Sequence, residues 1–379
     1  MRFSEEQEKL RKKVRDFVER EMPRDLVREL DEKDEYPHEL LGKLVDLDLA
    51  RVNIPEEYGG TGGDIIDLMI IFEELGRRFP TLTWAFGNIV LYGNEIIGVN
   101  GSAAQKREYL PRLGRGEIKF CFALTEPNAG SDAASISTRG IPDGDGYVVT
   151  GNKMFISGAG VSDYAVTFAR TDQPKYAGIT AFIVDTGLEG YQARSLEKIG
   201  MHGSNTCEVT YDNVRVRSVD ILGGPEYLNK GWFQEMKLLN QERLNLSAVA
   251  LGIAEAALED ALEYARDMIP GTNRKNIQQS MQHQLADMAT NVEAIRWLIY
   301  AAAWKETQHM QPVMETSMSK YFSAETTKKI VLQGLDILGR EASLMRRDMQ
   351  RYLRDIMIYS IGGGTSQIQK NIIAKTLNV

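Results

Sequence analysis

The sequence predicts an α+β multidomain fold: an N-terminal helical domain over residues 1–117, a central antiparallel β domain over 118–222 and a C-terminal four-helix bundle over 223–379. Three observations carry this expectation. Apolar residues recur at helical spacing through the first third, at every second position from Ile118, and at helical spacing again after Gly231. A chain of 379 residues is too long for one small core and suits two or three domains. Few helical patterns separate the strands, which favours an antiparallel sheet or barrel over a wound parallel sheet.

Taken in order, Ser4 followed by Gln7 forms a capping box, and Phe3, Leu10, Val14 and Phe17 mark one helical face. Helical patterns follow at 38–49, 65–78, 82–99 and 102–113, with the turn-rich Ile54-Pro55-Glu56-Glu57-Tyr58-Gly59-Gly60 between the first two. Strands are expected at 118–124, 147–150, 153–156, 164–169, 179–184 and 207–216, separated by Asp-Gly, Gly-Asn and similar turn signals. Long amphipathic helices are expected at 233–267, 280–307, 313–338 and 344–360, with a short one from Ser366; their short connections predict antiparallel packing.

Composition narrows the function. Hydrophobic content of 43% and charged content of 26% fit a soluble globular protein. A net charge of −8 argues against nucleic acid or an anionic membrane as a bulk partner, so an anionic ligand requires a local basic cluster. Cys121 and Cys207 make no disulfide framework and suit a reducing compartment. No run reaches the length of a membrane span, and the N-terminus enters a charged helix with no apolar signal core. The expectation is a cytoplasmic protein, or a mature form without its targeting peptide.

The most informative stretch is Ala123 to Asp132, ALTEPNAGSD, where an apolar strand runs into a tight turn. Pro127 lacks an N–H and ends the ladder, and Gly130 can supply a φ > 0 bend with its backbone open to a ligand. Successive N–H groups with the Thr125 and Ser131 hydroxyls can hold a flat heterocycle and a pyrophosphate; an ordinary strand-to-loop turn has the same composition. This segment resembles a signature of the acyl-CoA dehydrogenase family. A second element, Gly151-Asn152-Lys153-Met154-Phe155-Ile156-Ser157, resembles another, and the helix, β domain, bundle order is also that of the acyl-CoA dehydrogenase fold. The resemblance runs over nearly the whole chain.

That resemblance implies FAD as cofactor. Phe122, Leu124 and Thr125 would line the isoalloxazine, with Gly130 in the same loop and Ser131 reaching pyrophosphate or pantetheine. Phe155 would cover one flavin face, and Ser157, with Ile156 beside it, would approach N5, although Trp and Thr are commoner at 155 and 157. Alone, Phe155 fits a core aromatic equally well. Lys198-Ile199-Gly200 through Tyr211-Asp212-Asn213-Val214 looks like the family's final β-domain strand; His202 stands where arginine is usual and is read as structural.

Dehydrogenating an acyl-CoA removes a proton from Cα while hydride leaves Cβ, so a carboxylate of raised proton affinity is needed. Many family members place a glutamate just before a Gly-Thr pair near the C-terminus. Here that motif reads Ile361-Gly362-Gly363-Gly364-Thr365-Ser366-Gln367, with Gly363 at the base position. A smaller branch, like isovaleryl- and long-chain acyl-CoA dehydrogenases, carries the base on a bundle helix; the matching stretch is Asn240-Gln241-Glu242-Arg243-Leu244. Independently, Glu242 shares a helical stripe with Leu238, Leu239, Leu246, Val249 and Ile253, where a carboxylate would be desolvated and its pKa raised. A buried Glu neutralised by Arg243 has the same pattern. The resemblance implies Glu242 as base, Asn240, Arg243, Gly364 and Ser131 near substrate, and Thr365, Ser366 and Gln367 toward phosphate or ribose at a helix N-terminus.

The chain departs from the family where Arg-x-x-Phe-Gly would reach a neighbouring subunit's FAD. Here Arg266-Asp267-Met268-Ile269-Pro270-Gly271-Thr272 keeps only the arginine, with Gln279 as the next polar contact. Gly339-Arg340-Glu341-Ala342 alters a later Gly-Gly-x-Gly element. The implied protein is an FAD-dependent acyl-CoA dehydrogenase, a homotetramer or dimer, that passes electrons to an electron-transfer flavoprotein. An enoyl-CoA reductase of the crotonobetainyl-CoA reductase type, and a non-catalytic subunit of a hetero-oligomer, stay open.

Overall fold

The computed structural model describes residues 3–267 and 279–379. Seven helices open the chain: α1 (Glu5–Glu21), α2 (Arg24–Lys33), α3 (His38–Asp46), α4 (Ile65–Arg78), α5 (Pro80–Ile89), α6 (Ile96–Asn100) and α7 (Ala103–Gly114). Capping boxes at Ser4/Gln7, Asp64/Asp67 and Ser102/Gln105 fix the starts of α1, α4 and α7. The helix α2 is an addition to the expected set. It buries only Val27 and Asp31, so its apolar stripe is too thin to read.

The expected helix at 82–99 is interrupted. Between α5 and α6 the backbone widens into a π-helical segment, Val90–Glu95. There a Cβ on Gly93 would lie 2.4 Å from Leu113, and the Asn94 amide donates to Ala50 O at 2.8 Å and Asn53 Oδ1 at 2.9 Å. Such segments concentrate at functional sites.

The middle of the chain is one sheet of seven strands: β1 (Phe120–Ala123), β2 (Arg139–Asp143), β3 (Gly146–Ser157), β4 (Tyr164–Arg170), β5 (Ile179–Asp185), β6 (Tyr191–Ser195) and β7 (Thr206–Arg217). The sheet is mixed, which corrects the antiparallel expectation. β1 runs parallel to β4 from Phe120↔Tyr164 to Ala123↔Thr167, and β2 meets β4 in parallel at Arg139↔Arg170. The remaining pairs are antiparallel. The β2–β3 hairpin lies between β1 and β4 in the chain, a crossover that residue alternation does not encode. The two short strands expected at 147–150 and 153–156 are one bulged strand, β3, and β2 and β6 are additions whose mostly exposed residues hide their period.

The C-terminal part holds α8 (Gly231–Asp267), α9 (Gln279–Thr307), α10 (Val313–Leu338), α11 (Met349–Ile356) and α12 (Ser366–Thr376). The helix expected at 344–360 is shorter, because Asp348 is held by Arg24 Nη1 at 2.6 Å and Arg28 Nε at 2.9 Å where α11 begins. Among the described residues no helix is long and apolar enough to cross a membrane.

The N-terminal helices and the bundle share one core, and α4 lies against α8 across it. Glycines make this crossing close: a Cβ on Gly252 would sit 2.2 Å from Glu73 O, and one on Gly76 would sit 2.9 Å from Val249 O. Charges stitch the same layer, with Arg11 Nη1 2.9 Å from both Glu73 Oε1 and Glu74 Oε1 and Arg15 Nη2 2.7 Å from Glu74 Oε1. Gly252→Ala is expected to lower stability by about 1–3 kcal/mol through overpacking. Gly42→Ala, in α3 with nothing within 4 Å of the added methyl, is expected to stabilise by about 0.4–1 kcal/mol. Denaturant midpoints of the two variants check the contrast; equal shifts would remove the close approach as its cause.

Candidate functional site

The loop after β1 is anchored from below by a buried ion pair. Lys153, fully buried on β3, donates to Leu124 O at 2.9 Å and lies 3.0 Å from Glu126 Oε1. Glu126 also accepts from Ser137 N at 2.6 Å, Ser137 Oγ at 2.7 Å and Thr138 N at 2.9 Å. Burial raises the Glu126 carboxyl, but the Lys153 charge and these donors outweigh it and bring it to about 2. Burial lowers Lys153 to about 8 against the opposing pull of Glu126. A further bond, Met154 N to Thr125 O at 2.9 Å, ties the loop to β3.

The turn itself closes differently from expectation. Glu126 and Ala129 exchange backbone hydrogen bonds, each 3.1 Å long, so Gly130 does not enter the left-handed region. Gly130 and Ser131 are exposed, and a Cβ on Gly130 would meet nothing. Left-handed backbone appears instead at Phe155, φ 62°, where β3 bulges against β7, and the ring stands 66% exposed. Holding a non-glycine residue there costs on the order of 1–3 kcal/mol and turns the side chain outward. Ile156 faces the β core, so its side chain is withdrawn from any ligand on the Phe155 side. Ser157 is buried, 3.5 Å from Thr206 Oγ1. His202 is structural: its Nδ1 lies 2.9 Å from Asp31 O and its Nε2 2.8 Å from Lys198 O.

On the helical side, Glu242 projects from α8 into a small cavity lined by Leu91, Tyr92, Glu95, Ile96, Phe122, Glu235, Leu238 and Glu242. The cavity therefore brings together Phe122 from β1 and Glu242 from α8. Tyr92 stacks on Phe122 with ring centroids 5.7 Å apart. Burial raises the Glu242 carboxyl, and Arg243 and Lys320 partly oppose the rise. Burial, then the Glu242 charge, raises Glu235 to about 8. Burial also raises Glu95 well above the carboxylate range, with Glu242, Glu306 and Glu235 adding to it.

Two cations hold the loop that carries no carboxylate. Arg243 Nε donates to Gly363 O at 3.2 Å, and buried Lys320 donates to Gly364 O at 2.6 Å. Gln369 Nε2 donates to the same two carbonyls at 3.1 and 3.0 Å. Gly363 and Gly364 take φ of 65° and 89°. Thr365 caps α12 by accepting from Ile368 N at 3.2 Å, while Ser366 is buried and donates to Glu325 Oε1 at 2.6 Å. Gln367 is exposed and Asn240 half-buried. Arg266 is exposed near the end of α8, and Gln279 is exposed at the start of α9, both remote in sequence from the cavity segments. Met268 to Thr272 of the altered motif lie outside the described residues.

Sequence reasoning missed Tyr92, Glu95, Glu235, Lys320 and the Lys153–Glu126 pair. Glu235 had a signal, since it lies two turns before Glu242 on one helical stripe. Glu95 had one too, as a single acid within the apolar run from Ile89 to Ile97.

The residues on the β side suit a flat, polar-rimmed cofactor. The exposed Phe155 ring offers an uncovered aromatic face, and Thr125 is half-buried and Ser131 exposed on the loop after β1. The whole chain has the shape of an oxidoreductase: butyryl-CoA dehydrogenase from Megasphaera elsdenii superposes with a TM-score of 0.95 and 31% identity, covering 100% of both chains. Three domain patterns match in series, the acyl-CoA dehydrogenase N-terminal domain at 4–117, middle domain at 121–214 and C-terminal domain at 229–378. The chain belongs to the acyl-CoA dehydrogenase family, whose members are FAD-dependent. It is 37% identical to the 3-(aryl)acrylate reductase of Clostridium sporogenes, over 100% of both chains. It is also 34% identical to the caffeyl-CoA reductase-Etf complex subunit CarC of Acetobacterium woodii, over 100% of this chain and 99% of the relative.

Glu126→Gln leaves Lys153 buried without its counter-charge and is expected to cost about 3–5 kcal/mol of stability, with loss of bound flavin. Lys153→Met is expected to cost less, because Ser137 and Thr138 still satisfy the carboxylate. Urea midpoints and the flavin-to-protein absorbance ratio check both; equal losses would argue against the pairing as the anchor.

Proposed function

We propose that this chain is an FAD-dependent acyl-CoA dehydrogenase of the branch whose base lies on a bundle helix, with Glu242 as that base. The observation that carries this reading is the cavity shared by Glu242 and Phe122, beside a Gly362–Gly364 loop without a carboxylate. Phe122, Leu124, Thr125, Gly130, Ser131, Phe155 and Ser157 hold the flavin side, Ile156 contributing backbone only. Thr365, Ser366 and Gln367 face the cofactor's polar end, although Ser366 is already bonded to Glu325. Arg266 and Gln279 are assigned to the AMP end. The proposed domains are 1–117, 118–222 and 223–379, and exposed Trp297 and Trp304 on α9 support a dimer or tetramer.

The mechanism follows from the electrostatics. FAD, when bound, supplies the hydride acceptor for Cβ. Glu242, raised by burial but kept ionisable by Arg243 and Lys320, takes the α-proton. Arg243 and Lys320, bonded to Gly363 and Gly364 carbonyls, fix the loop that carries Gly364 to the thioester, with Asn240 reaching it from α8. The apolar part of the lining, Leu91, Ile96, Leu238 and Phe122, limits the access of water to the carboxylate.

Run backward, the same residues reduce an enoyl-CoA, with protonated Glu242 returning the α-proton. The names of the 3-(aryl)acrylate reductase and the caffeyl-CoA reductase-Etf subunit favour this second reading, and the latter supports an electron-transfer flavoprotein as partner in either direction.

Glu242→Gln keeps the shape and removes the base. Flavin reduction by acyl-CoA is expected to fall about 10²–10⁴-fold with flavin content unchanged. Anaerobic stopped-flow bleaching measures this, and reduction at the parent rate would eliminate Glu242 as the base. Oxidation requires the carboxylate, so kcat/KM should rise with pH through a value above the ordinary carboxylate range. Lys320→Met removes a positive charge that holds Glu242 down and should move that limb to higher pH. A profile that does not move would separate Lys320 from the base.

A further inference from the structure

The Glu242 cavity contains more acid than proton abstraction requires. Glu95 and Glu235 line it together with Glu242, and they are only 8% and 4% exposed. The Oε1 of Glu95 is buried without a hydrogen-bond partner among the described residues. The rest of the lining is Leu91, Ile96, Leu238 and the rings of Tyr92 and Phe122. A pocket built for a plain alkyl chain gains nothing from carboxyl groups in such a wall, and an unpartnered buried polar oxygen is destabilising. The fold nevertheless turns two of them inward, one from a π-helical segment and one from α8.

Position supplies the rest. Glu235 precedes Glu242 by seven residues, which is about 10 Å along the axis and close to the same face. That separation is about the span from the reacting carbons to a ring substituent or the end of a medium chain. The charged groups near this end are also mostly acidic: Glu306 acts on Glu95, and Arg243 is the cation acting on Glu235.

We propose that Glu95 and Glu235 form a distal subsite of the acyl pocket that takes acyl groups ending in a hydrogen-bond donor, a hydroxyl or an ammonium, in preference to apolar ends. The proposal rests on Glu242 marking the reactive end of the pocket. A donor on the acyl group gives the unpartnered Glu95 oxygen its missing bond and lets the two carboxyl groups share one ligand. An alkyl or unsubstituted aryl end leaves the Glu95 oxygen unpaired beside the Glu235 carboxyl.

The test uses flavin-loaded protein and three thioesters of one length: 3-(4-hydroxyphenyl)propanoyl-CoA, its 4-aminomethyl counterpart and 3-phenylpropanoyl-CoA. Binding is measured by calorimetry in the Glu242→Gln background, where turnover is not needed, and kcat/KM for flavin reduction is measured with Glu242 intact. One or both donor-bearing thioesters are expected to be favoured over the phenyl compound by roughly 10–100-fold, and which one is favoured separates hydroxyl from ammonium. Glu95→Leu and Glu235→Leu should each erase or reverse that preference while tightening the phenyl compound. Glu95→Gln, which keeps a hydrogen-bonding group and guards against misfolding, should retain part of it. Equal binding of all three thioesters, or a preference that survives both leucine variants, overturns the proposal. Parent-rate flavin reduction by Glu242→Gln would refute the base assignment instead, and the binding preference would still be readable.

Discussion

A carboxylate on α8 is partly withdrawn from water beside two cations that are bonded to something else, and the rest of the site is arranged by that fact. Arg243 and Lys320 lower Glu242's proton affinity against the burial that raises it, but they donate to the Gly363 and Gly364 carbonyls. Had either formed a tight pair with Glu242, the carboxylate would be fixed as an ion of low basicity. With the cations committed to backbone oxygens, the charge is tempered and the lone pairs stay available. Burial lowers Lys320 to about 8, with Arg243 reinforcing the shift. The cations are thus under strain from each other as well as from the apolar wall.

The same layer explains why three distant stretches must fold together. The cavity has walls from the π-helical segment, from β1 through Phe122 and from α8. Close packing of α4 on α8 through Gly76 and Gly252 sets where α8 runs, and Asn88 ties α5 to the sheet by donating to Phe120 O at 2.8 Å and Ser157 O at 3.2 Å. A shift of α8 would open the cavity toward water and return Glu242 toward an ordinary carboxylate.

Local signals in the sequence were strong wherever one element decided the outcome. Ser4/Gln7 caps α1 as expected, Val313–Leu338 is a helix with the expected bounds, and Leu238, Val249 and Ile253 of the expected stripe are buried on α8 while Leu239, Glu242 and Leu246 are half-buried. Signals failed where elements meet. The parallel β1–β4 pair, the bulge that merges 147–150 with 153–156, and the π-helical widening at Val90 are decided by neighbours that lie far away in sequence. Lys320 shows the limit most clearly: it lies on a helix face with buried Thr316, Ser319 and Ser323, and only the Gly364 carbonyl reveals its purpose. Residue type favours a left-handed bend at Gly130, but the Glu126–Ala129 pair closes the turn without one, and the left-handed φ of Phe155 on β3 has no signal in its residue type.

The glycine loop also bears on why the acid stands on α8. A side chain at 363 would place its Cβ 2.7 Å from Leu246 Cδ1, on a backbone whose φ of 65° disfavours any residue with a Cβ. At 364 the conflict is with Gln369 Nε2 at 2.8 Å, the group that binds both loop carbonyls. A carboxylate introduced at 363 would therefore have to displace Leu246, one turn beyond Glu242 on the same helix face, and loosen the wall that desolvates it. With Leu246 in place and Arg243 bonded to Gly363 O, the loop is the more crowded place for a carboxylate and the helix the freer one.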